Sequence, residues 1–583
     1  LALPLALAAL LAGGMKTRIF SVLVALAALA LLPHSARLIA KPRQERAPVI
    51  HRHWDAMALI KILDFPGARG INIDNSANTP ISEFDGNVEA LRKAAAPFMV
   101  DPKPLMDRMG GTCTFMSIGS GGGGDVLMAL QNGAREIHAV EVNPTINRML
   151  TRGGMYSAYS GRIYDRPEVR VVTEDARAYL RRFDGHFDII YSLSSNTFAA
   201  LASGAFALAE NYIFTSEAFQ DYYRALSPRG FLVMEHQFYM PRVVSEVLDG
   251  LRKSGVQEPE RHIAVYTLPG VRRQVLLLGK APLDPETVRG ALRGLEAHDS
   301  QRIHRVYPDP EPQASPLISR IVAEGWRKAG RQLPVDISPC TDDRPFIAQQ
   351  GLLRNLHQKR LSAIEPMEIR GYPLSKLIIL SVLAVVLLLV IPLNLLPYFR
   401  KGPKLGARGW LYFFAIGLGF MVLEIVLIQQ YTLFIGPSAY TLVAILFTLL
   451  IGSGLGSRFA PRFRDSVPFL GILAWILLDI LVFGRVTHGL GALTMLPRIL
   501  VTVLLVAPLG FFMGMPFPKG TKRVGSLIDW GFAVNGAASV LGSAAIMLVS
   551  FSWGFRAALL VGGAAYLLAM ALIGGSRPWV REG

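Results

Sequence analysis

From Leu374 onward the chain is written in apolar stretches of bilayer length, at about 374–397, 410–431, 440–457, 467–484, 496–514, 530–551 and 555–574. Lipid offers an exposed peptide group no hydrogen-bond partner, so such stretches are confined to helices that satisfy their own backbone. They predict an all-α polytopic transmembrane bundle over 374–575, surrounded by the lipid bilayer. A composition of 51% hydrophobic and 18% charged residues fits a membrane protein that keeps a sizeable soluble part. The net charge of +17 calls for no nucleic-acid partner. Much of it flanks apolar segments, where the retention of Lys and Arg on the cytoplasmic side accounts for it. Two cysteines, Cys113 and Cys340, give neither a disulfide framework nor a zinc set, and no metal is expected.

Residues 1–33 read as an amino-terminal membrane segment rather than a cleaved signal, and the start at Leu1 leads us to expect an incomplete amino-terminal part. Basic residues crowd 400–408, 458–464, 519–523 and 577–581, which predicts cytoplasmic loops there and a soluble region on the outer face. The basic run from Arg354 to Lys376 argues the opposite, as would a cytosolic cofactor. The expected location is a bacterial inner membrane, crossed several times. Two small-residue pairs, Gly452 with Gly456 and Ser539 with Ser543, are candidates for close helix packing, and one of the two is expected to serve. Glu424, Asp479 and Asn535 fall inside apolar spans. They predict a polar site for a membrane-bound acceptor or an ion path, or else acids hydrogen-bonded to neighbouring helices.

Ahead of the bundle the texture is that of a soluble protein. Residues 34–110 read as a linker and a small β-hairpin element, with turn signals at Asp74-Asn75 and Asp85-Gly86. Residues 111–280 alternate strands and helices, the mark of a parallel sheet, with strands expected at 115–118, 137–141, 169–173, 187–192, 230–235 and 274–278. Residues 281–373 read as a peripheral helical region and linker.

Within the sheet region, FMSIGSGGGGDVLMALQNGAREIHAVEVNP runs from an apolar strand through a glycine turn and a helix to a second strand ending on Glu141. This is the nucleotide half-site of a doubly wound sheet. Gly119, Gly121 and Gly124 satisfy the dinucleotide spacing, so a dehydrogenase stays open. Asp125 after the turn and the pair Glu174-Asp175 favour an S-adenosyl ligand. The expected contacts are Gly119, Gly121, Gly123 and Asp125 around the ligand, Glu141 on its ribose, and Asp175 with Ala176 on its adenine.

The chain from about 50 to 575 resembles the membrane-bound spermidine-synthase-like proteins. GSGGGGDV, AVEVNP, the segment 204–234, TDDRPF at 341–346, and FFMGMPFPKG with VNGAASVLGS carry the resemblance. It implies a Rossmann-like methyltransferase/spermidine-synthase fold fused to the bundle. It also implies S-adenosylmethionine or its decarboxylated form as cofactor, and a small-molecule or membrane-bound acceptor. In aminopropyltransferases of this kind the strand matching 187–192 leads into an aspartate that binds the attacking amine. Leu193 stands in its place here, and Asn196 where a second acid would help. Methyl transfer is therefore the expected reaction. The alternatives are aminopropyl transfer, or an inactive domain serving as scaffold, transporter or subunit of a membrane complex; a homodimer is also open. The acceptor is expected beyond Ser194 and Asn196, with Glu210 or His236 as general base. TDDRPF is expected to be a structural hinge, with Asp342 or Asp343 capping a helix or meeting an arginine.

Overall fold

The computed structural model describes residues 47–354 and 372–581, except 75–76, 94–99, 194–209, 237–238, 269–272, 295–302, 312–315, 400, 437–438 and 575–578, together with residues 19 and 356. Ser194, Asn196 and nearly all of the expected amino-terminal membrane segment lie outside the described residues.

The soluble half opens with an antiparallel four-stranded meander, β1 (Val49–Trp54), β2 (Leu59–Phe65), β3 (Ala68–Ile73) and β4 (Ala77–Ile81). The sequence predicts only a hairpin there. β4 reads ANTPI, with a proline and two polar residues, which is a weak strand signal on its own. The main sheet follows: β5 (Thr114–Ile118), β6 (Glu136–Val140), β7 (Val169–Val172), β8 (Phe187–Leu193), β9 (Leu226–His236), β10 (Ile263–Leu268), β11 (Arg273–Gly279) and β12 (His304–Tyr307). Its order is β12-β10-β11-β9-β8-β5-β6-β7. Strands β5 to β9 run parallel, whereas β11 is antiparallel to both of its neighbours. All six expected strands form. The sequence missed β10 and β12, so part of the 281–373 region belongs to the sheet and is not peripheral.

Alternation along β5 explains why both faces are covered. Phe115 joins a layer with Ile137, Ile189 and the meander's Ile60 and Ile62. Met116 and Ile118 point the other way, toward Val140, Ile190 and two helices, α4 (Ser216–Ala225) and α5 (Met240–Lys253). Shorter helices within the strand-helix alternation precede these: α1 (Gly124–Gln131), α2 (Pro144–Leu150) and α3 (Ala176–Leu180).

Six carboxy-terminal segments are long and apolar enough to cross a membrane, as befits a multi-pass membrane protein. They are α6 (Leu374–Phe399), α7 (Ala407–Ile435), α8 (Ala439–Arg462), α9 (Val467–Leu490), α10 (Met495–Thr521) and a 50-residue stretch, Gly525–Gly574. That last stretch holds two helices, α11 (Ile528–Trp553) and α12 (Phe555–Gly574), meeting at Gly554. They lie along α7 in opposite senses. Gly417 meets Asn535 and Gly531 meets Phe413, while Gly562 meets Leu423 and Arg408 donates to the Leu572 carbonyl. The expected seven crossings are thus present as helices.

Of the two small-residue pairs, the glycines are the packing face. A Cβ on Gly456 would fall 1.8 Å from the Phe511 carbonyl oxygen of α10, and one on Gly452 would lie 3.0 Å from the Gly510 backbone. Ser539 reaches the Gly417 carbonyl of α7 only at 3.4 Å, and Ser543 is half-buried and bonds within its own helix. Gly456→Ala is expected to cost about 1–3 kcal/mol by forcing α8 and α10 apart. Thermal unfolding of the protein in detergent measures this, and an unchanged midpoint would contradict it.

The soluble half sits on one end of the bundle. The Tyr212 hydroxyl donates to the Gln429 carbonyl (2.8 Å), Arg181 to Thr487 (3.1 Å) and Arg182 to Ala492 (2.7 Å). The Ala439 N–H donates to Ala56 (3.3 Å). The basic loops gather at the other end. There Asp465 meets Lys519 and Arg523, and Arg523 reaches the Ile573 carbonyl.

Candidate functional site

In open α/β sheets ligands bind at the carboxyl ends of the strands, where the chain order reverses. Here that point lies between β5 and β8, and the edge it belongs to faces the bundle. Gly119, Gly121 and Gly123 all take left-handed backbone (φ 73°, 46° and 91°), which only glycine adopts without strain. The turn is tied to β6 by the Gly119 and Ser120 N–H groups, which donate to the Val140 carbonyl at 2.8 and 3.1 Å.

Glu141 is buried and turned into this turn. Its Oε2 accepts from the Gly121 N–H (3.2 Å) and its Oε1 from the Asn143 N–H (2.8 Å). Burial raises its pKa above the usual carboxylate value, against those two donors. Asn143 caps α2 through the Thr145 and Ile146 N–H groups, which explains the NP that follows the acid. Asp125 is buried in the first turn of α1. It accepts from the Ser117 hydroxyl (3.0 Å), and burial pushes its pKa up to about 7.

The meander roofs the turn, a feature without a sequence signal. Thr79 Oγ1 accepts from the Gly122 N–H (3.1 Å), and a Cβ on Gly122 would meet the Pro80 carbonyl oxygen at 2.0 Å. Among the described residues two buried hydroxyls beside the reversal point, Ser120 Oγ and Ser192 Oγ, have no hydrogen-bond partner.

Asp175 caps α3 by accepting from the Ala178 N–H (2.9 Å), with Ala176 as the first helical residue. A Cβ on Gly436, at the end of α7, would lie 3.6 Å from the Asp175 Cβ, so bundle and cleft meet here. The neighbouring Glu174 faces the bundle, accepting from Arg498 (2.9 Å) and Arg182 (2.7 Å). Leu193 is 36% exposed at the end of β8, an apolar group where a protonated amine would need an acid.

Glu210 lies at the seam. It keeps some solvent contact, but the dense surroundings push its pKa up to about 7, against a hydrogen bond with Thr432 of α7. His236 is packed instead, its ring 4.7 Å from that of Phe214, and burial holds its pKa well below the usual value.

TDDRPF joins the two halves, as its hinge expectation requires. Arg177 grips Asp342 with both guanidinium nitrogens (2.6 and 2.9 Å) and bonds Asp221 (2.8 Å). Asp343 caps α12: its carbonyl accepts from the Phe555 N–H (2.8 Å) and its carboxylate from the Arg556 N–H (2.9 Å). Nothing in the sequence pattern points to Arg177, a buried cation inside a short helix.

The three polar residues of the bundle do not form one site. Asn535 Nδ2 donates to the Phe413 carbonyl (3.2 Å), while Asp479 accepts from Gln430 (2.9 Å) and Tyr431 (3.0 Å). Along α7 these places are roughly 26 Å apart. Glu424 is half-buried between them, and among the described residues no hydrogen bond or ion pair reaches it.

Among the described residues one group brings potential metal ligands together, Glu136, His138 and His186, within 4.8 Å of one another. It lies at the amino edge of the sheet, away from the glycine turn. His138 is already bonded to Glu136 (2.7 Å) and Tyr179 (2.9 Å).

Strand order, the antiparallel β11 and the glycine turn define the methyltransferase/spermidine-synthase class of α/β fold, here carried on a multi-pass helical region. No protein-family model matches the chain, and no curated protein matches it. Among solved structures it is similar to a spermidine synthase in complex with the transition-state analogue AdoDATO (20% identity, 42% of this chain and 78% of that one, TM-score 0.28). It is similar also to spermidine synthase from Thermotoga maritima (21%, 42% and 78%, TM-score 0.29) and to a probable spermidine synthase from Corynebacterium glutamicum (18%, 41% and 82%, TM-score 0.28).

Proposed function

We propose that this chain is an integral-membrane transferase that takes an S-adenosyl compound as donor and transfers a methyl group to an acceptor delivered at the membrane seam. One observation carries this reading: Glu141 lies within hydrogen-bond reach of the Gly121 N–H at the sheet edge that faces the bundle. The residues present fit such a donor. Ser120 Oγ and Ser192 Oγ are buried polar groups in want of partners, and Glu141 is a dehydrated carboxylate beside them. Gly119 to Gly121 would approach the donor with backbone, Glu141 would hold its ribose, and Asp175 with Ala176 its adenine. The bound donor supplies an electrophilic carbon on a sulfonium.

The chain's own part is positioning and proton handling. Leu193 offers no charge to an ammonium, which weighs against aminopropyl transfer. Glu210, with a pKa near 7, is matched to take a proton from the acceptor at neutral pH.

A second reading has its own support. The basic loops lie at the end of the bundle away from the soluble half, which favours a soluble half outside the cytoplasm, remote from S-adenosyl compounds. On that reading the domain is a scaffold, and the roof of Thr79 and Pro80 over the turn is permanent.

Calorimetry of the purified full chain with S-adenosylmethionine and with its decarboxylated form separates these. The transferase reading expects binding of S-adenosylmethionine, weakened by about 10- to 100-fold in Glu141→Ala through loss of charged hydrogen bonds to the ribose. Binding of the decarboxylated form alone would restore aminopropyl transfer. Binding of neither would leave the scaffold.

A further inference from the structure

A cavity of about 720 Å³ opens between the soluble half and the bundle. One face of α9 forms a wall of it through Asp479, Phe483 and Thr487, spaced at four residues, with His488 beside the last. From His488 to Asp479 that wall descends roughly 13 Å. Asp479 is only 6% exposed, and both its oxygens accept, from Gln430 Nε2 (2.9 Å) and from the Tyr431 hydroxyl (3.0 Å). Among the described residues no cationic side chain pairs with it. Gln430 also lines the cavity, and among the described residues its buried Oε1 has no hydrogen-bond partner.

We propose that Asp479 and Gln430 Oε1 hold a small monovalent cation at the floor of this cavity. A carboxylate oxygen keeps a lone pair after one hydrogen bond, and an amide oxygen has two. The site is therefore a set of oxygen acceptors carrying one formal negative charge, in a place where net charge is costly. A single positive charge makes it neutral, whereas a divalent ion would leave an excess at the same depth. The cavity links the floor to the seam, so an ion can enter without crossing lipid.

The test uses the full chain in detergent, titrated with NaCl or KCl against choline chloride at constant ionic strength. Thermal midpoint and equilibrium dialysis of radioactive sodium or rubidium are the readouts. At least one ion is expected to bind saturably and raise the midpoint. Asp479→Asn, equal in size and uncharged, is expected to weaken that ion by about tenfold or more, the loss of about 1.4 kcal/mol. Gln430→Leu keeps the acid and should weaken binding several-fold, which preserves the test if Asp479→Asn does not fold. Equal midpoints in all three salts, as a protonated Asp479 would give, overturn the proposal. An undiminished ion response in a folded Asp479→Asn protein does so too.

Discussion

Arg177→Met is expected to remove about 3–5 kcal/mol of stability and to loosen the soluble half from the bundle. The guanidinium is 2% exposed and bonds two carboxylates, Asp221 and Asp342, as well as the Tyr212 carbonyl (3.0 Å). Burial disfavours its charge, but Asp342 and Asp221 outweigh that and hold the proton more firmly than in water. Deleting the cation leaves two acids in a dry place, of which Arg181 can still satisfy only Asp221 (2.9 Å). Among the described residues Asp342 then keeps only the Thr215 hydroxyl (2.7 Å) as a side-chain donor and must draw in water in place of the guanidinium, which strains the turn that carries it. Arg177→Lys should recover little, because one ammonium cannot span the fork that the planar group fills. Thermal and urea unfolding in detergent measure the loss, and a methionine variant within about 1 kcal/mol of the parent would contradict this account.

Glu246→Gln is expected to abolish a fall in stability between about pH 4.5 and pH 8. Glu246 is fully buried on α5, where Oε1 accepts from the Cys340 N–H (3.2 Å) and, among the described residues, Oε2 has no hydrogen-bond partner. Burial pushes its pKa up to about 8, against the pull of Arg242. The sign follows from proton counting. In this window the unfolded chain has released the proton that the folded chain keeps, so stability declines as pH rises, by up to about 1.4 kcal/mol per pH unit. The decline begins at the unfolded value and ends near the folded one, for a total on the order of 4 kcal/mol. Glutamine cannot titrate, so the variant should gain on the parent steadily from pH 5 to pH 8. Parallel stability curves would show that Glu246 does not keep its proton.

Both halves of the architecture were legible because each rests on a strong period. The six expected strands of the main sheet and the seven apolar helices are punctuated at their ends by glycine or charge. The glycine turn and Glu141 were legible for a related reason, since their roles follow from backbone freedom and strand position. What escaped were contacts set by distant chain segments. Thr79 and Pro80 sit in a polar, weakly patterned strand, and nothing in ANTPI announces that it covers residues 121 and 122. Asp479 was visible as an acid in an apolar span, but its partners Gln430 and Tyr431 were not, because sequence does not say which faces of two helices meet. The supposed single polar site of Glu424, Asp479 and Asn535 failed for the same reason.

The turn Thr341–Phe346 is fastened to both halves at once. Asp342 is locked to Arg177, Asp343 holds the start of α12, and the Phe346 ring lies 4.7 Å from Phe551 and 5.5 Å from Phe555. A rocking of the globular part would therefore be geared to the tip of the α11–α12 hairpin, like a lever pinned at its fulcrum. The Glu174–Arg498 and Tyr212–Gln429 contacts add further pins, so the globular part can tilt only by carrying the ends of several helices with it.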